Sequence, residues 1–534
     1  MTDQSPNKLD VIIVGAGFAG LRALYTLRKE NFNCLVLEAS DEIGGVWNYN
    51  RYPGARCDVE SYDYSYSFSE ELEQEWRWTE RYAKQPEILE YIRHVADRFE
   101  LRKDIAFSSR LTSAEYDEEQ QRWNIVTDRG IAYSSQYFIM AVGQLSKPKK
   151  PNIVGEDSFK GEIYHSALWP REPVDFAGKR VGIIGTGSSG VQMTPVIAEQ
   201  ADHLCVFQRT ANYSIPACHG RISDEEDAAV KTNYRARREQ MRNSPSGLGF
   251  APNKKSALDD SPEVREQVFE EAWNRLGYGF ALVYKDILLN EAANDTAIAF
   301  AHRKIAEKVE DPLVRDKLTP RGFPFAAMRP AVDHLYYEAF NRDNVELVDI
   351  KEDPIIEITP DGIRTESGEY TLDIIIFATG FDVFTGSLLA PTITGRGGVT
   401  LKEKWKDGPK NYLGLSTKGF PNMFIMVGPG SPSLLSNVMV SMEEHADFIR
   451  DLIGDMRDKG YTEVEAEPQA EEHWVEHVNE RSKETLYPKA KSYYVGAEIP
   501  GKPQVFMPYS GGVRGYRRIL NRVQNENWNG FVMK

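Results

Sequence analysis

Two glycine-rich segments have the residue types and spacing that bind the pyrophosphate of a dinucleotide. Each has the pattern G-x-G-x-x-G and directly follows an apolar run, residues 11–14 or 181–184. Glycines in this pattern let the backbone approach a pyrophosphate, which then lies at a helix N-terminus. One copy is weak evidence, but two copies at domain spacing predict two bound dinucleotides. The glycines are Gly15, Gly17 and Gly20, and Gly185, Gly187 and Gly190.

The two segments differ in the residue that would contact the ribose. The apolar run after the first segment ends at Glu38, whereas the run after the second leads into Arg209 and Thr210. A carboxylate accepts hydrogen bonds from a free ribose diol, and an arginine suits a 2′-phosphate. The alternative for Arg209 is a solvated surface arginine. The contrast predicts one FAD and one NADPH, and therefore a redox enzyme.

Composition and charge exclude several other classes of function. The chain has 534 residues with 41% hydrophobic and 27% charged residues, which is typical of a folded globular protein. The net charge of −16 disfavours nucleic acid as a partner, because a phosphate backbone selects basic surfaces. The four cysteines form no C-x-x-C pair, so we expect no metal site and no dithiol redox pair.

The sequence offers no sign of a leader or of a membrane span. Residues 1–6 lack a charged segment followed by an apolar one, and no apolar run approaches the roughly 20 residues that a spanning helix needs. We therefore expect a cytoplasmic protein without a membrane partner. We further expect a monomer.

The pattern of apolar runs predicts an α/β fold with two Rossmann-like dinucleotide-binding domains. Residues 372–382 resemble the strand and crossing common in two-nucleotide flavoproteins, which implies that the C-terminal part rejoins the first domain. Residues 1–148 and 380–534 would then form a discontinuous FAD-binding domain, and residues 152–220 and 321–379 an NADP-binding domain. Residues 221–320 would form a helical insert, and residues 147–151 a crossing between the domains. Periodicity predicts a helix over 85–98 and a strand over 123–127.

One helix of the insert has a clear predicted start. Ser261 followed by Pro262 is a typical N-cap and first turn. Apolar residues then recur every four positions, which favours an amphipathic helix. The predicted buried face consists of Val264, Val268, Ala272 and Leu276.

A further motif lies between the two glycine segments. Residues 159–170 have the form F-x-G-x-x-x-H-x-x-x-W-P, centred on His165. Taken alone, His165 could be a base, a ligand or a structural residue. The whole string resembles the identifier of type I Baeyer–Villiger monooxygenases, and the resemblance extends over essentially the full chain. It implies a two-dinucleotide flavoprotein that uses FAD, NADPH and O₂ to convert ketones into esters or lactones through a C4a-peroxyflavin. It also implies that His165 lies at a domain junction and is not catalytic.

The same resemblance implies the catalytic pair. Arg329 matches the family's cation beside the anionic peroxide, and Asp58 matches the carboxylate placed next to it. An arginine keeps its charge at any working pH, and a carboxylate would fix the orientation of the guanidinium. The alternative is a simple salt bridge that joins two domains.

Cofactor and substrate contacts also follow from the resemblance, position by position. Trp47 and Tyr64 could equally be core aromatic residues. The flavin contacts would be Gly15, Gly17, Gly20, Glu38, Val46, Trp47, Asp58, Tyr64, Leu111 and Val438. The NADPH contacts would be Thr186, Gly187, Ser188, Ser189, Gly190, Gln192, Arg209, Thr210, Arg329 and Tyr493. The ketone pocket would include Ser433, Leu434 and Leu435, and the apolar side chains of the two leucines favour hydrophobic ketones.

Two positions depart from the family pattern. Met328 replaces a lysine that helps to bind the 2′-phosphate, and Tyr493 replaces the tryptophan of the family's lid, which here spans about residues 493–503. Losing one ammonium–phosphate contact costs about 1.5–3 kcal/mol. We therefore expect a preference for NADPH over NADH that is smaller than is usual in the family.

Three other classes of flavoprotein compete with this interpretation. A flavin-containing monooxygenase that oxidises soft nitrogen or sulfur shares both glycine segments, but it does not require Arg329 beside Asp58. A flavin disulfide reductase needs a cysteine pair, which the sequence lacks. A flavoprotein that binds NADPH without turnover is disfavoured by the set of active-site residues.

Overall fold

The computed structural model describes residues 7–218, 220–250 and 253–534. Residues 1–6, on which the expectation about a leader depends, lie outside the described part. Among the described residues, no helix combines the length and the apolar character needed to cross a lipid bilayer.

Twenty strands form the sheets of the described chain. They are β1 (Asn7–Val14), β2 (Cys34–Leu37), β3 (Ile105–Ala106), β4 (Leu111–Asp117), β5 (Arg122–Thr127), β6 (Ala132–Met140), β7 (Glu162–His165), β8 (Arg180–Ile184), β9 (His203–Gln208), β10 (Ser214–Pro216), β11 (Ala331–Asp333), β12 (Val345–Asp349), β13 (Ile355–Thr359), β14 (Gly362–Thr365), β15 (Glu369–Thr371), β16 (Ile374–Phe377), β17 (Thr392–Thr394), β18 (Met423–Ile425), β19 (Val464–Ala466) and β20 (Phe531–Met533).

Fifteen α-helices accompany the strands of the described chain. They are α1 (Phe18–Lys29), α2 (Val46–Tyr49), α3 (Glu70–Glu75), α4 (Gln85–Arg98), α5 (Ser188–Ala198), α6 (Asp224–Thr232), α7 (Tyr234–Asn243), α8 (Pro262–Trp273), α9 (Glu291–Lys308), α10 (Pro312–Leu318), α11 (Tyr336–Ala339), α12 (Leu401–Lys404), α13 (Val438–Lys459), α14 (Pro468–Lys483) and α15 (Gly512–Asn525). The predicted helix over 85–98 is confirmed at both ends, and the predicted strand over 123–127 lies within β5.

The first sheet carries the first glycine segment. Its strand order is β17-β4-β5-β6-β1-β2-β3, and β18 pairs with β6. The central strands β6, β1 and β2 run parallel, and the apolar run of β1 is completely buried at residues 11–13. Because α1 packs on α13, the C-terminal part of the chain covers one face of this sheet.

The second sheet carries the second glycine segment. Its strand order is β12-β9-β8-β16-β7, and all of its pairs are parallel. Strands β7, β8 and β9 come before the predicted insert, whereas β12 and β16 come after it. The sheet is therefore assembled from two separated parts of the sequence, as a discontinuous domain requires. The exact domain boundaries stay a prediction.

Five helices, α6 to α10, lie within residues 221–320, as expected for a helical insert. Ser261 caps α8 by accepting a hydrogen bond from the Val264 N–H. The predicted buried face of this helix is only partly confirmed: Ala272 is buried, but Val264 is 47% exposed, and the helix ends at Trp273, before Leu276. Phe269, Ala272 and Trp273 are the buried residues. A four-residue repeat drifts by about 40° per step around a 3.6-residue helix, so Val264 falls off the packed face.

The chain crosses between the first and the second sheet in two segments, and these two segments are hydrogen-bonded to each other. The Lys149 N–H donates to the Gly380 carbonyl at 2.9 Å, and the Asp382 N–H donates to the Lys147 carbonyl at 2.9 Å. Between these bonds, Pro148 and Phe381 form an antiparallel bridge. The crossings therefore form a short two-stranded connection, which includes the segment 147–151 predicted from its prolines.

Candidate active site

The two glycine turns have the same backbone geometry. Gly15 and Gly185 have φ values of +103° and +114°, which favour glycine. A Cβ atom on Gly20 would lie 1.8 Å from the Gly15 carbonyl oxygen, and one on Gly190 would lie 2.0 Å from that of Gly185. Each third glycine therefore allows the helix to pack directly against its own turn.

The helices after both turns begin with unused backbone donors. Gly17 is the N-cap of α1 and Gly187 is the N-cap of α5, and neither cap provides a side-chain hydrogen bond. A Cβ atom on Gly45 would lie 3.1 Å from the Gly17 Cα, so only backbone lines this part of the first turn. Free N–H groups at a helix N-terminus and a narrow glycine-lined gap both fit a pyrophosphate.

Glu38 is held in place at the end of β2. Its side chain is buried, and its carboxylate accepts hydrogen bonds from the Ala16 N–H at 2.7 Å and the Ser40 N–H at 2.8 Å. Burial raises the pKa of Glu38, while these backbone bonds oppose the rise. Each carboxylate oxygen keeps a second lone pair, so Glu38 can still accept from a ribose diol.

Arg209 and Thr210 lie in a different environment after β9. Both residues are exposed. The Thr186 hydroxyl donates to the Thr210 carbonyl at 3.3 Å, which ties this end of the strand to the second glycine turn. Within the described part of the chain, Arg209 forms no ion pair with a carboxylate. Its guanidinium is therefore available to an incoming phosphate.

Arg329 lies where the two sheets and the insert meet. Its Nε donates to an Asp58 carboxylate oxygen at 2.8 Å, and its Nη1 donates to the Leu434 carbonyl at 2.8 Å. The ring of Tyr278 lies 4.3 Å from the guanidinium carbon. Burial disfavours the charge, but the adjacent Asp58 carboxylate outweighs it and raises the pKa of Arg329 well above its ordinary value. The structure thus places a permanent cation beside Asp58, as the sequence predicted.

The predicted flavin contacts fall mostly into one cluster. Trp47 donates through Nε1 to the Tyr64 hydroxyl at 3.1 Å, and burial raises the pKa of Tyr64. Val46 and Val438 pack against the same apolar cluster, at the first residues of α2 and α13. Leu111 belongs to a different apolar cluster, at the first residue of β4. Trp47 and Tyr64 are therefore in direct contact, while Val46 and Val438 share the same extended apolar core with them.

Gln192 joins the second glycine domain to the loop that carries Asp58. Its side-chain oxygen accepts from the Tyr52 hydroxyl at 3.0 Å, and its Nε2 donates to the Arg56 carbonyl at 3.2 Å. A Cβ atom on Gly54 would lie 2.4 Å from the Gln192 carbonyl, so the loop and α5 are in close backbone contact. The amide of Gln192 is therefore already used in positioning the loop.

The predicted ketone loop presents its apolar residues and buries its serine. Ser433 is fully buried, and its hydroxyl contacts the Gln144 amide and the Val427 carbonyl. Leu434 and Leu435 are half-buried and pack against the aromatic cluster that contains the lid tyrosines. Ser433 therefore stabilises the loop, while the two leucines form its apolar surface.

The lid packs onto this site and is hydrogen-bonded to both chain crossings. Tyr494 is completely buried, with its hydroxyl 3.5 Å from the Leu434 carbonyl, and Tyr493 lies against it. Lys149 donates through Nζ to the Glu498 carbonyl at 2.6 Å, and Lys502 donates to an Asp382 carboxylate oxygen at 2.7 Å. Lys149 and Lys502 lie in the predicted crossing and in the predicted lid, but the pattern of neither segment indicates these contacts.

His165 lies at the junction between the crossings and the second sheet. Its Nε2 is 3.2 Å from the Lys149 carbonyl, and its Nδ1 accepts from the Ala167 N–H at 3.1 Å. Burial lowers the pKa of His165. Both ring nitrogens therefore have backbone partners, which supports the structural interpretation of this residue.

One group of potential metal ligands lies away from the active site. Nitrogen, sulfur and oxygen atoms of His203, Cys205 and Glu346 lie within 4.8 Å of one another at neighbouring strands β9 and β12. His203 already pairs with Glu346 at 3.3 Å, and burial raises the pKa of the Cys205 thiol to about 12.

Comparison of the sequence with known proteins gives full-length relatives. Residues 12–243 match the family model described as pyridine nucleotide-disulphide oxidoreductase. The chain is 44% identical over 528 residues to a Baeyer–Villiger monooxygenase of Pseudooceanicola batsensis, covering 98% of this chain and 96% of the relative. It is also 40% identical to the phenazine N-monooxygenase PhzNO1 of Lysobacter antibioticus, covering 100% and 98% of the two chains.

Solved structures agree with these relatives over the same length. An oxidised steroid monooxygenase bound to NADP has a TM-score of 0.96 and 49% identity, covering 99% of each chain. The structure of OTEMO in complex with FAD and NADP has a TM-score of 0.96 and 39% identity, covering 99% of this chain and 100% of the other. The architecture is therefore that of proteins which bind two dinucleotides.

Proposed function

Because the chain belongs to the Baeyer–Villiger monooxygenases, we propose that it converts hydrophobic ketones into esters or lactones with FAD, NADPH and O₂. The observation that carries the proposal is the Arg329–Asp58 pair, which is held beside the loop of Leu434 and Leu435 and below the packed lid. FAD reduced by NADPH supplies the activated oxygen.

The two glycine turns would hold the two dinucleotides. The N-terminus of α1 and the buried carboxylate of Glu38 fit the pyrophosphate and ribose of FAD. The N-terminus of α5 and the exposed Arg209 fit the pyrophosphate and 2′-phosphate of NADPH. Both sites and Arg329 come from one chain, so we propose that a monomer carries the complete site. We also propose that the protein is cytoplasmic.

Arg329 would stabilise negative charge on the reacting oxygen atoms. A guanidinium has five N–H donors, of which Asp58 and the Leu434 carbonyl each use one. Three donors remain for the oxygen donor and for the carbonyl oxygen of the ketone, which gains charge when it is attacked. Asp58 fixes the orientation of these donors, while burial under the lid excludes water and strengthens their effect.

A product assay tests this function. The purified holoenzyme is incubated with NADPH, O₂ and phenylacetone or cyclohexanone, and ester, lactone and H₂O₂ are measured. We expect ester or lactone in proportion to the NADPH consumed. Consumption of NADPH that yields only H₂O₂ with every hydrophobic ketone would contradict the proposal.

Replacement of Arg329 tests the residue that carries the proposal. The Arg329→Ala variant should still reduce its flavin with NADPH but lose oxygen insertion by about 100-fold or more, as when a donor to a developing oxyanion is removed. Ester formation at the wild-type rate would exclude the assigned role of Arg329.

Oxidation of nitrogen is the second candidate, because one relative is a phenazine N-monooxygenase. In nitrogen oxidation the nitrogen lone pair attacks an electrophilic oxygen donor, so no cation is needed beside a ketone oxygen. The same assay with phenazine or a tertiary amine separates the candidates. An N-oxide formed faster than any ester, and at the same rate in Arg329→Ala, would favour this second function.

A further inference from the structure

The helical insert contributes one aromatic ring to the active site. Tyr278 belongs to the short 3-10 helix Gly277–Leu282 and is almost completely buried. The preceding Gly277 has a φ of +50°, and a Cβ atom there would lie 2.5 Å from the Tyr82 hydroxyl. Gly277 therefore lets the backbone pack tightly on Tyr82, which fixes where the ring of Tyr278 lies.

This ring covers one face of the Arg329 guanidinium. The distance of 4.3 Å from the guanidinium carbon to the ring centre is within the range of a cation–π contact. Asp58 and the Leu434 carbonyl hold two edges of the same group. With one face and two edges occupied, the remaining N–H donors of Arg329 are directed to one side.

The surroundings strengthen this contact. Tyr494 is completely buried, and it packs against Tyr493 and Tyr487 with ring centres 4.6 and 5.5 Å apart. Burial raises the pKa of Tyr278, so its hydroxyl stays protonated and its ring stays neutral. Cation–π contacts are strongest where both groups are shielded from water, as they are between the insert and the lid.

We propose that Tyr278 is a positioning residue for Arg329: its ring fixes the plane of the guanidinium, so that the free donors meet the reacting oxygen atoms. The inference rests on the proposed function and deepens it, because it assigns a role to the insert. Without the ring, Arg329 can rotate about its contact with Asp58 and admit water on the uncovered face.

Two substitutions separate the ring from its hydroxyl. Tyr278→Leu removes the ring and Tyr278→Phe keeps it. In the holoenzyme with NADPH, O₂ and phenylacetone, the ratio of H₂O₂ to ester should rise about tenfold in Tyr278→Leu. It should stay within about twofold of wild type in Tyr278→Phe, because the ring carries the contact.

Tyr284→Leu is the matched control. Tyr284 is a buried tyrosine of the same insert that packs on Phe269 and donates a hydrogen bond to Asp260. Neither of these contacts involves Arg329. We expect its loss to lower the melting temperature of the holoenzyme while the ratio of H₂O₂ to ester stays that of wild type. This ratio does not depend on the fraction of folded enzyme, so it distinguishes positioning from stability.

A binding measurement tests the inference without the ketone reaction. Arg329 is also a proposed NADPH contact, so the dissociation constant of NADP⁺, followed by the flavin spectrum, should rise several-fold in Tyr278→Leu and not in Tyr278→Phe. An unchanged ratio and an unchanged dissociation constant in Tyr278→Leu would overturn the inference. So would a Tyr278→Phe variant as impaired as Tyr278→Leu. Failure of wild type to form any ester would instead contradict the proposed function.

Discussion

The two glycine turns of this protein have the same backbone but end in opposite environments. In both, the first glycine packs on the end of the neighbouring strand: a Cβ atom would lie 2.6 Å from the Ala141 carbonyl or 2.5 Å from that of Ala378. At the ribose position, however, Glu38 is buried with two backbone bonds, while Arg209 is exposed.

This difference matches the different demands on the two nucleotides. A buried carboxylate that is already hydrogen-bonded provides a preformed acceptor, which suits a cofactor that stays bound. An exposed cation can exchange between water and a phosphate at little cost, which suits a coenzyme that must leave after each turnover. On the proposed assignment, the same turn would hold a retained cofactor in one half of the molecule and an exchanging coenzyme in the other.

Alanine at the third glycine of each turn should have the largest effect on nucleotide binding. Gly20→Ala forces a Cβ atom against the Gly15 carbonyl, and Gly190→Ala forces one against the Gly185 carbonyl. We expect Gly20→Ala to be purified without FAD and without activity. Gly190→Ala should retain FAD but raise the KM for NADPH by about 100-fold or more, since only the second helix is displaced. Flavin absorbance and steady-state kinetics measure both effects.

Gly454→Ala is the control for this pair. Gly454 lies in α13, and a Cβ atom there would meet no neighbour within 4 Å. This variant should keep wild-type flavin content and kinetics. Loss of FAD from Gly190→Ala would show that the two turns do not act separately.

Acid should destabilise the fold around His445. His445 is fully buried, accepts from the Val427 N–H at 2.9 Å, and has its pKa lowered by burial to about 3. An unfolded histidine has a pKa of about 6.5. Its contribution to stability is therefore complete above about pH 6.5 and is lost as the pH falls towards 3, by about 1.4 kcal/mol per pH unit. The melting temperature followed by FAD fluorescence, from pH 7.5 to 5, measures the loss.

His445→Asn should flatten this decline, because the asparagine oxygen can still accept from Val427 but does not bind a proton. His473 is exposed, so His473→Asn should keep the wild-type pH dependence. Equal declines in wild type and His445→Asn would rule out His445 as the cause.

The substitution with the smallest expected effect concerns the affinity for NADPH. Met328→Lys adds a cation next to Arg329, at the position where the family has a lysine. The KM for NADPH should fall several-fold, as expected for one added, partly exposed charge–phosphate contact. The KM for NADH should change by less than about twofold, because NADH has no 2′-phosphate. An equal change in both values would mean that residue 328 does not contact the phosphate.

Much of this architecture could be predicted from the sequence, because it depends on local patterns. The glycine turns, the helix over 85–98 and the cap at Ser261 are set by neighbouring residues. The Arg329–Asp58 pair joins residues 271 positions apart, and only the resemblance to a family indicated it.

Other features could not be predicted, since they arise from tertiary packing. The carbonyl of Leu434 as an Arg329 partner leaves no trace in residue type, because every residue has a carbonyl. Tyr278 lies in a segment without a motif, and the contacts of Tyr278, Lys149 and Lys502 are made with distant parts of the chain. The face of α8 was misjudged because a four-residue repeat alone does not show which side of a helix is packed.

We propose that Glu38 contacts the ribose of FAD and that Arg209 contacts the 2′-phosphate of NADPH. The most direct measurement is the ratio of kcat/KM for NADPH to that for NADH in wild type and Arg209→Gln. We predict a wild-type ratio above one that falls by about tenfold in the variant, entirely through NADPH, as expected for loss of one charge-assisted contact, with FAD content unchanged. A wild-type preference for NADH, or an unchanged ratio in Arg209→Gln, would contradict the assignment of Arg209 to the 2′-phosphate of NADPH.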